Sequence, residues 1–134
     1  MYEYNCKIRR IIDGDSIIID IDLGFGLWIH GESIRLFGVD CPECRSRDKE
    51  EKAAGLAAKK FVSRFLKPGG TYTLSTQGKG KFGRYLGVIS DEAGSVNDAL
   101  IENHLAVRYY GQNKDEVKAA HIENRSRYKR EDQH

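Results

Sequence analysis

Hydrophobic and polar residues alternate over short stretches in the first third of the chain, as they do in half-buried β-strands. Three such strands are predicted, over residues 6–12, 16–22 and 32–39. The sequence Asp13-Gly14-Asp15 predicts a tight turn between the first two strands, which are therefore expected to form a hairpin. Residues 23–31 are predicted to form a longer, glycine-bearing connection between the second and third strands.

The pattern changes to a helical period near residue 50. Apolar residues recur every three or four positions from Glu50 to Leu66, and Lys59, Lys60 and Arg64 lie on the other side. This spacing predicts an amphipathic helix, and the sequence Pro68-Gly69-Gly70 is expected to end it. Two further strands are predicted over residues 71–76 and 84–90.

Two more helices are predicted in the C-terminal part. Ser95 precedes Val96-Asn97-Asp98 in the arrangement of a helix N-cap, which predicts a helix to about His104. A third, weakly amphipathic helix is predicted from about Asp115 to Tyr128. Residues 129–134 are expected to fray, as chain ends often do.

This order of elements predicts an α+β fold: five short strands, one helix after the third strand, and two helices at the end. We interpret residues 1–134 as a single domain, because the chain has only two prolines and no repeat or low-complexity linker. The favoured architecture is a five-stranded Greek-key β-barrel of the OB type with three α-helices. Barrels of this type bind nucleic acids on one face.

Composition narrows the possible locations of the protein. The 134 residues, 40% of them hydrophobic, suit one domain and contain no apolar stretch near the roughly 20 residues that cross a bilayer. The N-terminal residues lack the basic and apolar regions of a secretion signal, and three cysteines, an odd number, argue against a disulfide-stapled secreted domain. We therefore expect a cytoplasmic protein with no membrane partner.

Charge is distributed unevenly along the chain. Residues 1–44 carry four Lys/Arg and eight Asp/Glu, a net charge of −4, whereas residues 45–84 carry eleven and three, a net charge of +8. A site that holds a cation and a polyanion together would need such an arrangement. Ordinary solvated charge on a helix face is the alternative interpretation.

The residues with the most specific chemistry lie at the ends of predicted strands. Asp15 and Asp40 are carboxylates that sheet pairing can bring together, and hard oxygen ligands of this kind suit Ca²⁺ or Mg²⁺. The alternative is that Asp13 and Asp15 form only an Asx-turn, and that Asp40 caps the strand before Pro42.

Arg35 is a stronger indication of a site. Alternation along the third strand places Arg35 on the same face as Phe37 and Val39, opposite Ile34 and Leu36. A charged residue in an otherwise apolar strand requires a partner, or a ligand that supplies one.

Four segments, in their order and residue types, give the chain a resemblance to the staphylococcal-nuclease-like (thermonuclease) domain family. They are Ile12–Ser16, Arg35–Glu43, Lys81–Arg84, and Val96–Leu100 followed by Leu105-Ala106, and in family order they cover roughly residues 5–128. The resemblance implies an OB-type barrel and a calcium-dependent nuclease that hydrolyses phosphodiester bonds of DNA and RNA with low sequence specificity, leaving 3′-phosphate ends. The expected partners are single-stranded or locally open nucleic acids, and the expected state is a monomer.

The resemblance also implies roles for individual residues. Asp15 and Asp40 match the metal-binding carboxylates, and Cys41 stands where the family supplies a backbone carbonyl to the metal. Glu43 matches the carboxylate that positions or deprotonates the attacking water.

The substrate-binding residues implied by the resemblance lie in later segments. Arg35 and Arg84 match two guanidinium groups on the phosphate, where forked donors stabilise the charge of a pentacoordinate transition state better than Lys. Lys81 is also expected to bind substrate, and Tyr109 and Tyr110 stand where the family has aromatic residues that stack on the base. The alternative for the tyrosines is that one lies in the core and the other on the surface.

Several residues admit another interpretation. Cys41-Pro42-Glu43-Cys44 is a C-x-x-C sequence, which is also typical of a redox pair or half of a zinc site. The four histidines do not offer the remaining zinc ligands at ordered spacing. For Phe25 and Trp28, packing under the barrel rim is favoured over substrate contact.

Two functions from different classes therefore remain. The first is a metal-dependent nuclease, and the second is a noncatalytic OB-fold module that binds nucleic acid or protein. The presence of all five charged residues, Asp15, Arg35, Asp40, Glu43 and Arg84, favours the enzyme, because buried charges without a ligand destabilise a fold.

Overall fold

The computed structural model describes residues 2–80 and 83–132, with side chains described as far as Tyr128. The elements in chain order are β1 (Tyr2–Asp13), β2 (Ser16–Gly24), β3 (Leu27–Leu36), β4 (Val39–Asp40), α1 (Lys49–Phe65), β5 (Thr71–Lys79), β6 (Tyr85–Asp91), β7 (Gly94–Ser95), α2 (Val96–Glu102), β8 (Val107–Arg108) and α3 (Lys114–Asp132).

Five of the strands form a closed barrel. β1 pairs antiparallel with β2 and β5, β2 pairs with β3, and β5 pairs with β6. A short parallel pairing of β3 with β6 closes the barrel. The predicted α+β fold with an OB-type barrel is confirmed.

The barrel interior is filled by aliphatic side chains that alternate along the strands. Ile17, Ile19, Ile34, Leu74 and Ile89 have no exposed surface. Since successive strand residues point to opposite faces, the alternation that places these residues inside places Arg35, between Ile34 and Leu36, on the other side. The core thus determines which way Arg35 points.

The strand predictions hold in outline and fail at one connection. The predicted β1–β2 hairpin is confirmed, with Asp13 paired to Ser16. The longer connection over residues 23–31 is wrong, because β2 continues to Gly24 and pairs there with Leu27. Phe25 and Gly26 both have positive φ angles, 57° and 76°, and two such residues make a tight turn whose twist matches the flanking strands.

The side chains of this turn also differ from expectation. Phe25 is fully exposed, so its predicted packing under the barrel rim is wrong. Trp28 is partly buried and stacks on His30, with the Lys7 ammonium 5.4 Å from its ring centroid.

The third strand is shorter at its C-terminal end than predicted. β3 ends at Leu36, and after the turn at Phe37 and Gly38 the separate strand β4 pairs with β8. This places Asp40 beside the segment that leads to α3.

The helices agree closely with the predictions. Asp48 caps α1 by accepting hydrogen bonds from the backbone N–H groups of Glu50 and Glu51. Ser95 caps α2 through the N–H of Asp98. The third helix runs beyond the predicted Tyr128, to Asp132. Within the described residues, none of the helices combines the length and the apolar character needed to cross a membrane.

Candidate functional site

Three charged side chains meet where β1, β3 and β4 end. Arg35 extends from β3, and its Nη1 lies 3.2 Å from Asp15 Oδ2, while its Nη2 lies 3.1 Å from Asp40 Oδ1. Nη2 also donates to the Val39 carbonyl oxygen at 3.4 Å. We call Asp15, Arg35 and Asp40 the Asp–Arg–Asp cluster. In this cluster one forked guanidinium joins two carboxylates that are 25 positions apart in the sequence.

Asp15 is the more deeply buried of the two carboxylates, with 6% of its surface exposed. Burial raises its pKa, and this effect exceeds the lowering caused by Arg35 and by the backbone N–H of Cys41, which donates to Oδ2 at 3.0 Å. The nearby negative charges of Asp40 and Asp13 raise the pKa further. A cation beside this buried carboxylate would stabilise its negatively charged form.

Asp40 is held from the opposite side by a residue of α3. His121 Nε2 lies 2.8 Å from Asp40 Oδ2, while the other oxygen of the carboxylate faces Arg35. Burial alone would raise the pKa of Asp40, but the hydrogen bonds and charges of His121 and Arg35 together lower it. The two carboxylates therefore have pKa values shifted in opposite directions.

Arg35 responds to both carboxylates. Burial of its guanidinium favours the neutral form, but the charges of Asp15 and Asp40 outweigh burial and raise its pKa. The ring centroid of Tyr109 lies 5.6 Å from Arg35 Cζ, close enough for a cation–π contact. The guanidinium therefore remains charged between two carboxylates and an aromatic ring.

Arg84 reaches the same place through Ser16. Its Nη1 donates to Ser16 Oγ at 3.1 Å, and Ser16 Oγ in turn donates to Asp15 Oδ1 at 3.3 Å. The backbone of Arg84 is fixed because its carbonyl accepts a hydrogen bond from the Gly80 N–H at 2.8 Å. The second arginine thus approaches the cluster from the β5–β6 connection.

Residues 41–44 form a loop that is anchored at both ends by carboxylates. Asp15 accepts from the N–H of Cys41, and Asp13 Oδ1 accepts from the N–H of Cys44 at 3.3 Å. The middle of the loop lies against α1, since a Cβ added to Gly55 would be 2.6 Å from the Glu43 carbonyl carbon. Only glycine at position 55 leaves room for this approach.

Glu43 projects outward from this anchored loop. Glu43 is exposed to solvent, and its backbone is fixed by the anchored ends of the loop and by the close approach of Gly55. Glu43 lies only three residues after Asp40 in the sequence. Its side chain is nevertheless outside the network of hydrogen bonds that links Asp15, Arg35 and Asp40.

Of the two tyrosines predicted to bind substrate, Tyr109 and Tyr110, only Tyr109 contacts the cluster. Tyr109 is partly exposed over Arg35, and its N–H donates to the Gly38 carbonyl at 2.8 Å. Tyr110 is 81% exposed, and its backbone N–H bonds the side chain of Gln112. Lys81 lies outside the described residues. The geometry therefore brings Tyr109, and not Tyr110, to the cluster.

The two cysteines of the C-x-x-C sequence have different neighbours and are both free thiols. Cys41 Sγ would be 2.8 Å from a Cβ at Gly14, whereas Cys44 Sγ donates to the Gly55 carbonyl at 3.3 Å. Burial raises the pKa of Cys44 to about 11 and raises that of Cys41 well above its usual value. Since the thiolate is the reactive form of cysteine, these surroundings disfavour the redox interpretation.

The carboxylate oxygens of the Asp–Arg–Asp cluster suit a hard cation, although both carboxylates are paired with Arg35. Within residues 2–80 and 83–132, no group of three or more His, Cys, Asp or Glu residues is gathered to hold a metal ion. An ionised carboxylate has about four acceptor positions. Asp15 accepts three hydrogen bonds and Asp40 accepts two, so both retain capacity for a further ligand.

Several residues that build the site were not predicted from the sequence as parts of it. Ser16 links Arg84 to Asp15, Asp13 holds the Glu43 loop, and His121 holds Asp40. Asn97 is buried and donates to the Phe37 carbonyl at 2.9 Å, which fixes the turn after Arg35. Asp13, Ser16 and Asn97 lie within the four family segments, whereas His121 lies outside all of them.

The chain is similar in sequence to one protein family and to two known nucleases. Residues 33–133 match the model of the family described as "Staphylococcal nuclease homologue". The chain is 29% identical over 116 residues to endonuclease YhcR of Bacillus subtilis (strain 168), which covers 81% of this chain and 9% of that protein. It is 39% identical over 59 residues to thermonuclease of Staphylococcus intermedius, covering 44% of this chain and 32% of that protein. The matched regions thus span less than a third of the length of either relative.

Proposed function

Because the chain belongs to the staphylococcal nuclease homologue family, we propose that it is a calcium-dependent nuclease. It hydrolyses phosphodiester bonds in DNA and RNA with little sequence specificity and leaves 3′-phosphate ends. The names of two relatives, an endonuclease and a thermonuclease, support a hydrolytic activity on nucleic acids.

One observation carries the proposal. Arg35 lies within 3.2 Å of both Asp15 and Asp40, and Arg84 is joined to Asp15 through the hydroxyl of Ser16. Two guanidinium groups and two carboxylates from separate segments thus converge at one edge of the barrel. Such a group suits a phosphodiester, whose negative charge increases in the transition state, together with a cation.

In this function Asp15 and Asp40 would hold calcium, and the backbone carbonyl of Cys41 would contribute a third oxygen. Bound calcium supplies Lewis-acid stabilisation of the phosphate oxygens. Both carboxylates retain acceptor capacity, and the net negative charge of Asp13, Asp15 and Asp40 against Arg35 attracts a cation.

The arginines bind and orient the phosphate. On binding substrate, Arg35 and Arg84 donate to the phosphate in place of some of their bonds to Asp15, Asp40 and Ser16. Tyr109 lies over Arg35 with 40% of its surface exposed, so its ring is accessible to a base of a single-stranded or locally open substrate. Stacking of this kind tolerates any base, which agrees with low sequence specificity.

Glu43 positions the attacking water and accepts its proton. The loop that carries it is held by Asp13, by Asp15 and by close contact with Gly55, so the carboxylate has a fixed backbone and an exposed side chain. A general base needs this combination of a fixed position and access to water.

The experiment is cleavage of closed-circular DNA, single-stranded DNA and RNA with Ca²⁺, Mg²⁺, Zn²⁺ or a chelator. We expect cleavage with Ca²⁺ and none with chelator. The Glu43→Gln variant should lose about 10²–10⁴-fold in rate, as expected for loss of a general base. A labelled oligonucleotide treated with a 3′-phosphatase after cleavage reports the chemistry of the ends.

Glu92→Gln is the matched control, because Glu92 is an exposed carboxylate in the turn after β6. It should cleave like the wild type, and both variants should melt like the wild type. Cleavage that survives chelation, or a Glu43→Gln variant with wild-type turnover at saturating Ca²⁺, contradicts the proposal. Salt-sensitive binding of single-stranded DNA without any cleavage would instead favour the noncatalytic OB module.

A further inference from the structure

We propose that His121 is a positioning residue that holds the Asp40 carboxylate in the orientation in which it binds calcium. This inference rests on the proposed function, because it assigns a role to His121 only if Asp40 is a calcium ligand. His121 lies on α3, outside every sequence segment that suggested the site, and 81 positions from Asp40.

The contact itself is short and shielded from water. His121 Nε2 lies 2.8 Å from Asp40 Oδ2, and the two side chains are 11% and 26% exposed. An ionised carboxylate can only accept, so Nε2 carries the proton and donates in either charge state of the ring. Hydrogen bonds that orient metal ligands in this way are typical of metal sites.

His121 is the partner of Asp40 that substrate does not remove. The other strong side-chain bond to Asp40 comes from Arg35, which the proposed function assigns to the phosphate. When Arg35 turns to a phosphate, His121 is the described side chain that still holds the carboxylate. Without it, Asp40 would be free to rotate at the moment when calcium and substrate are both bound.

The position of the ring is itself determined by α3. Asn124 Nδ2 donates to the Ala106 carbonyl at 3.0 Å, and Arg125 lies 3.4 Å from Glu50 of α1, so three polar residues on one helical face tie α3 to the domain. His121 also lines a cavity of about 280 Å³ whose surface is largely apolar and includes Ala53, Ala54 and Leu105. Among the described residues the buried His121 Nδ1 has no hydrogen-bond partner, so the bond from Nε2 to Asp40 is the polar contact that orients the ring.

Two substitutions separate the hydrogen bond from the rest of the side chain. The amide nitrogen of Gln reaches about as far from the backbone as Nε2, whereas that of Asn reaches only about as far as Nδ1. His121→Gln therefore keeps a donor for Asp40, and His121→Asn keeps the polarity but loses the contact. His121→Leu fills the space with no donor and replaces His121→Asn if that variant does not fold.

The experiment measures calcium binding by calorimetry, without substrate, and calcium dependence of cleavage in parallel. His121→Asn should bind Ca²⁺ about 10–100-fold more weakly than the wild type, and His121→Gln should retain most of the affinity. At saturating Ca²⁺ the cleavage rate of His121→Asn should recover, since the residue holds a ligand and does not touch the reacting atoms. Thermal unfolding with chelator shows whether the variants are equally folded.

His30 provides the matched control. It forms a second His–Asp pair, with Nδ1 3.4 Å from Asp20, but its side chain is 67% exposed on β3. His30→Asn should leave Ca²⁺ affinity unchanged. The inference is overturned if folded His121→Asn and His121→Leu bind Ca²⁺ as tightly as the wild type, or if His121→Gln is as weak as His121→Asn. If the wild type itself binds no Ca²⁺, the proposed function fails first and this inference fails with it.

Discussion

The first and third helices dock onto the domain by different physical means. The buried residues of α1 are Gly55, Ala58 and Val62, and Ala58 and Val62 belong to the hydrophobic core. α3 presents His121, Asn124 and Arg125 to its neighbours, while its apolar Ile122 is half exposed. The weak amphipathicity of α3 in the sequence is therefore a consequence of a polar interface.

The apolar interface of α1 and the polar interface of α3 are expected to have different roles, the first in stability and the second in function. Apolar packing contributes free energy in proportion to the surface removed from water, and it is insensitive to the exact direction of each group. Hydrogen bonds to carbonyl and carboxylate oxygens contribute less but fix directions. We therefore expect α1 to determine how stable the domain is, and α3 to determine how the Asp40 carboxylate, the proposed calcium ligand, is oriented.

The largest effect on stability should come from the end of α1. Leu66 has no exposed surface, so Leu66→Ala should lower the free energy of unfolding by about 2–5 kcal/mol through lost burial and a residual cavity. Urea denaturation measures this change, and Leu56→Ala, at a position on α1 that is 48% exposed, is the control with an expected change within about 0.5 kcal/mol. Calcium affinity of folded Leu66→Ala should match the wild type. A weakened affinity would remove the distinction between the two helices.

A smaller effect is expected where α1 meets the loop of residues 41–44. In an exposed helix position, Gly→Ala stabilises by about 1 kcal/mol, but at Gly55 the new Cβ would lie 2.6–2.7 Å from backbone atoms of Glu43 and Cys44. Because backbone atoms cannot move aside as a flexible side chain can, Gly55→Ala should destabilise by about 1–3 kcal/mol. It should also lower the cleavage rate by displacing Glu43. An increase in melting temperature with full activity would show that the loop does not approach α1 so closely.

The smallest effects are expected in the pH dependence of stability, measured by urea unfolding from pH 3 to 7 with chelator. The lowered pKa of Asp40, caused by His121 and Arg35 against burial, means that Asp40 stabilises the fold above its usual pKa and loses this contribution as pH falls. The raised pKa of Asp15, caused by burial, has the opposite sign: its favourable contribution is present at low pH and is lost as pH rises through the folded pKa.

The two carboxylates can be separated by substitution to the uncharged amide. Relative to the wild type, Asp40→Asn should become less stable as pH rises from 3 to about 4, and Asp15→Asn should become relatively more stable as pH rises above about 4. If the stability difference from the wild type changed with pH in the same direction for both variants, the pKa values of Asp40 and Asp15 would not be shifted in opposite directions.

The sequence alone determined those parts of the molecule whose information is local. The strands with alternating Ile residues, the helix from Glu50 to Leu66 and the cap at Ser95 all follow from periodicity or from one residue and its near neighbours. The segments that contain Asp15, Arg35 and Asp40 were also identified, because family resemblance is a property of short ordered motifs. Their convergence follows once the barrel closes, since β1 and β3 then end at the same edge.

Tertiary structure decided the partners that come from a distance. The two-residue turn at Phe25 and Gly26 requires positive φ at a phenylalanine, which propensity disfavours and strand pairing imposes. The contact of His121 with Asp40 joins positions 81 apart, and the helix that carries His121 has no apolar stripe to show which face is buried. A hydrophobic face is visible in the sequence because burial alone defines it, whereas a polar interface depends on where each partner atom lies after folding.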